Sequence, residues 1–166
     1  TSMDDLTAQA GFTRGALYHH FGDKKGLLAA VVAQIDHEMD QRLDVISEQA
    51  KDIWSGFNQR CHTYLDMAIE SEYQRIVLRD ARAVLGGASI DSQQHCIDSM
   101  QRQIAQLIQQ GIIEQADPQA LACLIYGSLA ETAFWIADGD DHNQRLKSGR
   151  TALNLLLRGL LIKADQ

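Results

Sequence analysis

The sequence predicts an all-α protein, because apolar residues recur along most of the chain at steps of three and four residues. A single proline among 166 residues and an aromatic content of 6% argue against an all-β sandwich, which needs turn signals every few residues. No stretch alternates apolar and polar residues as a half-buried strand would. Hydrophobic residues make up 45% of the chain, which is enough for a buried core.

Two short helices are predicted at the start of the chain. Ser2 can cap a helix over about residues 3–10, and Gly11 ends it because glycine readily adopts the left-handed conformation of a helix C-terminus. Thr13 then caps a second helix over about residues 14–21. Two short helices joined by a tight turn that contains glycine form the helix-turn-helix pattern.

Six further helices are predicted from the same periodicity, and they cover residues 24–50, 52–71, 73–85, 90 onward, 117–137 and 144–163. Gly86 and Gly87 interrupt the apolar pattern between the third and the fourth of them. Asp117 followed by Pro118 marks the start of the fifth, because a capping residue before a proline is a typical helix beginning. Residues 138–141 are expected to form a polar loop.

The net charge of −7 lies entirely in the C-terminal part of the chain. Residues 1–30 hold three acidic and three basic residues, whereas residues 31–166 hold nineteen acidic and twelve basic ones. Because the local field decides whether a polyanion binds, the acidic average does not exclude DNA binding by the N-terminal segment. Three widely spaced cysteines predict reduced thiols in a cytoplasmic protein, and no apolar run reaches the roughly 18 residues of a membrane span.

The second short helix carries the residues expected to read DNA. Gly15 and Ala16 keep its leading end slim enough for a major groove about 12 Å wide, and Arg14 can donate two hydrogen bonds to guanine N7 and O6. Side chains that can donate to phosphates follow on or just beyond the helix at Tyr18, His19, His20 and Lys24.

The segment contains the run Ala10-Gly11-Phe12-Thr13-Arg14-Gly15-Ala16-Leu17-Tyr18-His19-His20-Phe21, followed by Lys24 and Leu27-Leu28. Over residues 1–28 this pattern resembles the TetR/AcrR family of bacterial transcriptional regulators. The resemblance implies base contacts by Arg14, Gly15 and Ala16. It implies phosphate contacts by Ser2, Tyr18, His20 and Lys24, with Thr13 as the helix cap and a further phosphate contact. His19 falls at a variable position of the family pattern.

The resemblance also implies two domains. Residues 1–28 would form the helix-turn-helix DNA-binding domain, incomplete at its N-terminus because the family places another helix before residue 1. Residues 29–166 would form a helical-bundle domain that binds a small apolar or amphipathic effector and dimerises through its last two helices. Candidate effector contacts are Cys61, Tyr64, Met67, Met100, Tyr126 and Trp135.

The sequence therefore predicts a DNA-binding repressor that a small molecule releases, without catalysis, cofactor, metal or membrane partner. The alternatives are a helical adaptor or ligand-binding protein without DNA binding, and a small helical-bundle enzyme. Cys61, on an apolar stripe, is interpreted as a packing residue rather than a redox sensor. Asp36, His37 and Glu38 are interpreted as a solvated helix face, because a helix points consecutive side chains in different directions.

Overall fold

The computed structural model describes residue 8 and residues 24–163, and within these residues it is built from helices, as predicted. Its helices are α1 (Lys24–Gln49), α2 (Ile53–Asp66) with the 3-10 turn Met67–Ile69, a π-helix (Tyr73–Ala81) that continues into the short α3 (Arg82–Leu85), α4 (Ile90–Gln109), α5 (Pro118–Ala137) and α6 (His142–Arg158). Apart from residue 8, the helix-turn-helix predicted over residues 3–21 lies outside the described residues.

Aspartate caps begin three of these helices. The side chains of Asp52, Asp117 and Asp141 accept hydrogen bonds of 2.8, 2.7 and 2.9 Å from the backbone N–H three residues further on. The predicted start at Asp117-Pro118 is therefore confirmed. Because Asp141 is a cap, α6 begins at His142, two residues before the predicted start.

The last helix ends earlier than predicted. The periodicity indicates a helix to residue 163, but α6 ends at Arg158 and the chain then pairs with the segment after α4. The Glu114 N–H donates to the Leu160 carbonyl at 2.9 Å, and the Ile162 N–H donates to the Ile112 carbonyl at 3.2 Å. These backbone bonds form an antiparallel bridge that replaces the last predicted helical turn.

One core cluster of buried apolar side chains joins α1, α2, the π-helix, α4, α5 and α6. Its largest fully buried side chains include Phe57, Leu65, Ile104, Leu107 and Ile136. The helix α4 packs along α5, and α1 packs along α2.

Three side-chain hydrogen bonds between described residues join α1 to α4. They join Asp36 to Ser92, Asp40 to Cys96 and Ser47 to Gln103, each across 56 positions of sequence. Because the offset is constant, the two helices run parallel along this contact.

The helix α5 is apolar on two faces. Leu129, Ala133 and Ile136 face the core and are buried, whereas Leu124 is 69% exposed. Among the described helices, α5 is long and apolar enough to cross a membrane, and 28% of the relevant stretch is buried. The expectation that no apolar run reaches the length of a membrane span is therefore not met by α5. An apolar helix that packs on both faces would have the same composition, because each face contributes its own apolar stripe.

Candidate functional site

A cavity of about 140 Å³ lies between α1, α2, the π-helix, α4 and α5. Its lining residues are Asp36, Met39, Tyr64, Tyr73, Val77, Leu78, Gly86, Gly87, Ala88, Ser92, Gln93, Cys96, Tyr126, Ala130 and Phe134. One carboxylate therefore shares a small space with four aromatic rings. These lining residues, all in the described part of the chain, include no Lys, Arg or His.

The polar end of the cavity is the contact between α1 and α4. The Ser92 hydroxyl donates to Asp36 Oδ2 at 3.1 Å, and one turn further along, the Cys96 thiol donates to Asp40 Oδ1 at 3.2 Å. His95 Nε2 lies 3.9 Å from Asp40 Oδ2. Both carboxylates are buried, with Asp36 6% exposed.

The Asp36 carboxyl is a weaker acid than usual. Burial raises the pKa of Asp36 from 3.8 to about 6, because an ionised carboxylate loses its hydration there. The Ser92 hydrogen bond lowers this pKa, and the nearby charge of Asp40 raises it further. At neutral pH the side chain is mostly ionised and is the negative charge of the cavity. The interpretation of Asp36 as part of a solvated face is wrong, because α1 turns it toward α4, while His37 and Glu38 are exposed.

Three tyrosines surround the space opposite Asp36. Tyr64 comes from α2, Tyr73 from the π-helix and Tyr126 from α5. Tyr64 and Tyr73 are hydrogen-bonded to each other, and burial raises the pKa of all three phenols above the usual value. They therefore remain protonated and neutral, so that they add aromatic surface and hydroxyl groups but no charge.

The π-helix forms one wall of the cavity. The sequence predicts a helix over residues 73–85, and the structure confirms a helix there but gives Tyr73–Ala81 the wider π form. Tyr73, Val77 and Leu78 point into the cavity from this segment. π-helical turns are uncommon and often lie at functional sites, which agrees with the position of this one.

Two of the six predicted effector contacts, Tyr64 and Tyr126, line this cavity. Cys61 and Met100 line a smaller void of about 20 Å³ that shares Tyr64 and Tyr126 with it. Met67 is buried and lines an adjoining cleft of about 290 Å³ between α1 and the start of the π-helix, which shares Met39 and Tyr73 with the cavity.

Trp135, the last of the predicted effector contacts, does not line the cavity. Its side chain is 45% exposed, and the Arg145 guanidinium lies over its ring at 4.8 Å. The buried face of α5 passes through Ala133 and Ile136, and Trp135 points about 100° away from Ile136 on the helix.

The buried thiol of Cys61 is consistent with a packing role. Burial raises its pKa to about 12, so the nucleophilic thiolate is scarce at neutral pH. The neighbouring guanidinium of Arg60 is also buried, and it donates to Asp44 Oδ1 at 2.8 Å.

Of the predicted DNA contacts, Lys24 lies within the described residues. It is the first residue of α1, and both Lys24 and Lys25 are exposed. The other predicted contacts lie outside the described residues, namely Ser2, Thr13, Arg14, Gly15, Ala16, Tyr18, His19 and His20.

A second surface feature is an apolar groove between α5 and α6. It has a volume of about 160 Å³ and is lined by Leu121, Leu124, Ile125, Ser128, Leu153, Leu156, Leu157 and Leu160. Leu124 and Leu156 are 69% and 60% exposed. An exposed apolar patch of this kind is typical of an interaction surface.

Two models of protein families match the chain. Residues 1–31 match the model described as bacterial regulatory proteins of the tetR family, and residues 54–160 match the tetracyclin repressor-like C-terminal domain. The TetC protein of transposon Tn10 from Escherichia coli is 26% identical over 132 residues, which cover 76% of this chain. The match spans 64% of the length of that relative.

Solved structures give the same result. A TetR-family transcriptional regulator from Pectobacterium atrosepticum is 72% identical, with a TM-score of 0.90 over 99% of this chain and 86% of that chain. The regulator FadR from Bacillus subtilis, solved in complex with stearoyl-CoA, is 17% identical, with a TM-score of 0.69 over 96% of this chain and 89% of that chain. The second likeness is one of fold alone.

Proposed function

Because the chain belongs to the TetR family of bacterial regulatory proteins, we propose that it represses transcription in the cytoplasm by binding operator DNA as a homodimer. A small effector in the cavity beside Asp36 releases the DNA. The observation that carries the proposal is that one chain matches both the tetR-family model at residues 1–31 and the C-terminal domain model at residues 54–160. The activity is binding alone, without catalysis.

The proposed DNA-binding domain is residues 1–28. In this proposal Arg14, Gly15 and Ala16 face the bases, because a slim helix end and a guanidinium suit a major groove. The proposed contacts to phosphates are Ser2, Thr13, Tyr18, His19, His20 and Lys24. Support comes from the exposed pair Lys24 and Lys25 at the start of α1, since a lysine donates readily to a phosphate oxygen.

The proposed dimer forms through α5 and α6 of each protomer. The groove between these helices leaves Leu124 and Leu156 largely exposed in the single chain. Two copies related by a two-fold axis would cover each groove with the same surface of the partner, which is the usual arrangement of a symmetric dimer. Such a dimer also sets the distance between the two DNA-binding domains.

The proposed route from effector to DNA is the helix α1. It runs without interruption from Lys24 to Gln49, and Asp36 and Met39 line the cavity from its middle. At 1.5 Å per residue, Lys24 and Asp36 are about 18 Å apart along one rigid element. An effector that prefers one position of α1 would therefore shift the population of DNA-binding arrangements.

A mobility-shift titration tests the proposal, with the protein in its full natural length and the DNA upstream of its own gene. The variant Arg14→Ala is expected to lose about 1–3 kcal/mol on the operator and to relax the preference at one or two base pairs. Lys24→Ala is expected to weaken binding to operator and scrambled DNA alike, and to lower the salt slope by about one phosphate contact per subunit.

The two variants control for each other, because both remove one positive charge. If Arg14→Ala weakened binding to both DNAs equally, Arg14 would contact the backbone and not the bases. Absence of a shift on any upstream fragment at low salt would contradict the proposed function itself.

A further inference from the structure

The cavity beside Asp36 has a charge and a lining that select among effectors. This inference rests on the proposed effector cavity and goes beyond it by naming the ligand class. Asp36 is buried on the cavity wall, and the neutral Ser92 hydroxyl donates a hydrogen bond to it. Burying an ionised group without a positive partner costs free energy. A ligand with a positive charge would supply that partner and so bind more tightly.

Two arginines near the cavity, Arg60 and Arg82, are paired with carboxylates other than Asp36. Arg60 borders the adjoining void and donates to Asp44. Arg82 is not among the lining residues, but its guanidinium carbon lies 3.9 Å from the centroid of the lining Phe134 ring, and its nitrogens lie 3.8 Å from carboxylate oxygens of Glu131 and of Asp138. The described lining residues include Asp36 and no Lys, Arg or His, and the Arg82 guanidinium behind Phe134 faces two carboxylates of its own. The field inside the cavity therefore favours a positive ligand and opposes a carboxylate or a phosphate.

The aromatic wall suits the same class of ligand. Tyr64, Tyr73, Tyr126 and Phe134 come from three different helices and surround the space next to Asp36. The faces of aromatic rings attract cations, and amines or quaternary ammonium groups are commonly held by such rings together with a carboxylate. Because burial keeps the phenols neutral, they do not add a competing charge.

The size and the access of the cavity limit the ligand. A volume of about 140 Å³ is similar to that of cavities of about 150 Å³ that take up benzene, so one ring or a short aliphatic group fits. Asp36 also lines an outer groove of about 330 Å³, and the loop residues Gly87 and Ala88 line both spaces. Gly87 has a φ of 123°, and a Cβ there would meet no atom within 4 Å. Open space therefore borders Gly87, which lines both the cavity and the outer groove.

We propose that the cavity binds a small organic cation, an amine or a quaternary ammonium ion that carries one short apolar or aromatic group. The charge lies against the Asp36 carboxylate, and the apolar group lies among the four aromatic rings. The loop around Gly87 is the entrance.

Calorimetric titration with three probes of matched size tests the proposal at pH 7.5 on the intact chain. The probes are phenethylamine, which is a cation, 2-phenylethanol, which is neutral, and phenylacetate, which is an anion. Phenethylamine is expected to bind about tenfold more tightly than 2-phenylethanol, and phenylacetate more weakly than both. In Asp36→Asn the preference for phenethylamine over 2-phenylethanol is expected to fall to about twofold or less, while the affinity for 2-phenylethanol is kept.

The matched control is Glu48→Gln, which removes one negative charge from an exposed position of the same helix. It is expected to keep the full preference for the amine. Equal binding of amine and alcohol by the natural protein, no binding of any probe, or an unchanged preference in Asp36→Asn would each overturn the proposal.

A mobility shift on the upstream DNA separates this inference from the proposed function. A protein that shifts its DNA but shows no preference for the amine remains a repressor, and the ligand class is wrong. A protein that prefers the amine but binds no DNA keeps the ligand class and loses the proposed function.

Discussion

Replacing Asp36 by asparagine should stabilise the ligand-free protein at neutral pH. The carboxylate is 6% exposed and receives a hydrogen bond from Ser92, which an asparagine oxygen could still accept. The substitution therefore keeps the shape and this contact but removes the buried charge. A more stable variant would show that the ionised carboxylate lowers the free energy of unfolding of the natural protein.

The size of the gain follows from the pKa. Burial raises the pKa of Asp36 from 3.8 to about 6, a rise of about two units, and each unit is worth about 1.4 kcal/mol. The folded protein holds this proton more tightly than the unfolded chain. Ionisation therefore reduces the free energy of unfolding progressively as the pH rises from about 4 to about 6, and the whole loss remains above that range. Allowing for relaxation, Asp36→Asn should be about 1–3 kcal/mol more stable at pH 7.5 and about equally stable near pH 4.

Urea unfolding of the natural protein and the variant at a series of pH values measures this difference. Protomer concentrations must be equal, because dimerisation contributes to stability. Subtracting the two curves removes the titration of groups present in both proteins. The ionisable groups around Asp36 that both proteins share are Asp40 with His95 beside it, Cys96, Tyr64, Tyr73 and Tyr126. A difference independent of pH, or a variant less stable at pH 7.5, would refute the reasoning, and Glu48→Gln is the control for charge alone.

Three further predictions concern packing, assembly and reactivity. Gly149→Leu should lower the free energy of unfolding by about 1–3 kcal/mol in urea, because even a Cβ at this position would lie 3.3 Å from Thr132 Cγ2; an unchanged midpoint would contradict the close packing of α5 on α6. Leu156→Lys should raise the dimer dissociation constant about 100-fold or more in analytical ultracentrifugation, since a charge replaces an apolar side chain in the α5–α6 groove of both copies. The control Ile90→Lys, which is exposed but does not line the α5–α6 groove, should leave the constant unchanged. Cys61 should remain unmodified by iodoacetamide at pH 8 until urea unfolds the protein, as peptide mass mapping would show, because burial raises its pKa to about 12.

The helices could be predicted from the sequence because their signals are local. Apolar residues at three- and four-residue steps give α1, α2, α4 and α5, and a capping aspartate followed by proline marks the start of α5. The end of α6 could not be predicted in the same way. Its last residues keep the helical pattern, but backbone hydrogen bonds between Ile112 and Ile162 and between Glu114 and Leu160 compete with the helix. Such a contact depends on a segment almost fifty positions away.

The candidate site was predicted only in part. Tyr64 and Tyr126 were named because the family resemblance implies a pocket inside the C-terminal domain, which some of its aromatic residues would line, and both line the cavity. Asp36 was missed because its charged neighbours suggested a solvated face. The spacing of the carboxylates does indicate burial, because Asp36 lies four residues after Val32 and Asp40 lies four residues after Asp36. Both carboxylates therefore fall near the buried stripe of α1. The π form of residues 73–81 has no comparable signal, since the residues would suit an ordinary helix equally well.

The position of Asp36 explains why a charged ligand would act on DNA binding more directly than a neutral one. A ligand shifts a conformational equilibrium only by the difference between its affinities for the two states. The aromatic rings belong to α2, the π-helix and α5, so a neutral ligand held by them can fill the cavity without a strong attraction to α1. A cation is attracted to Asp36, which lies on α1 itself, and α1 begins at Lys24. We therefore expect the buried Asp36 carboxylate to be the group through which the charge of a ligand affects the proposed DNA-binding end of α1.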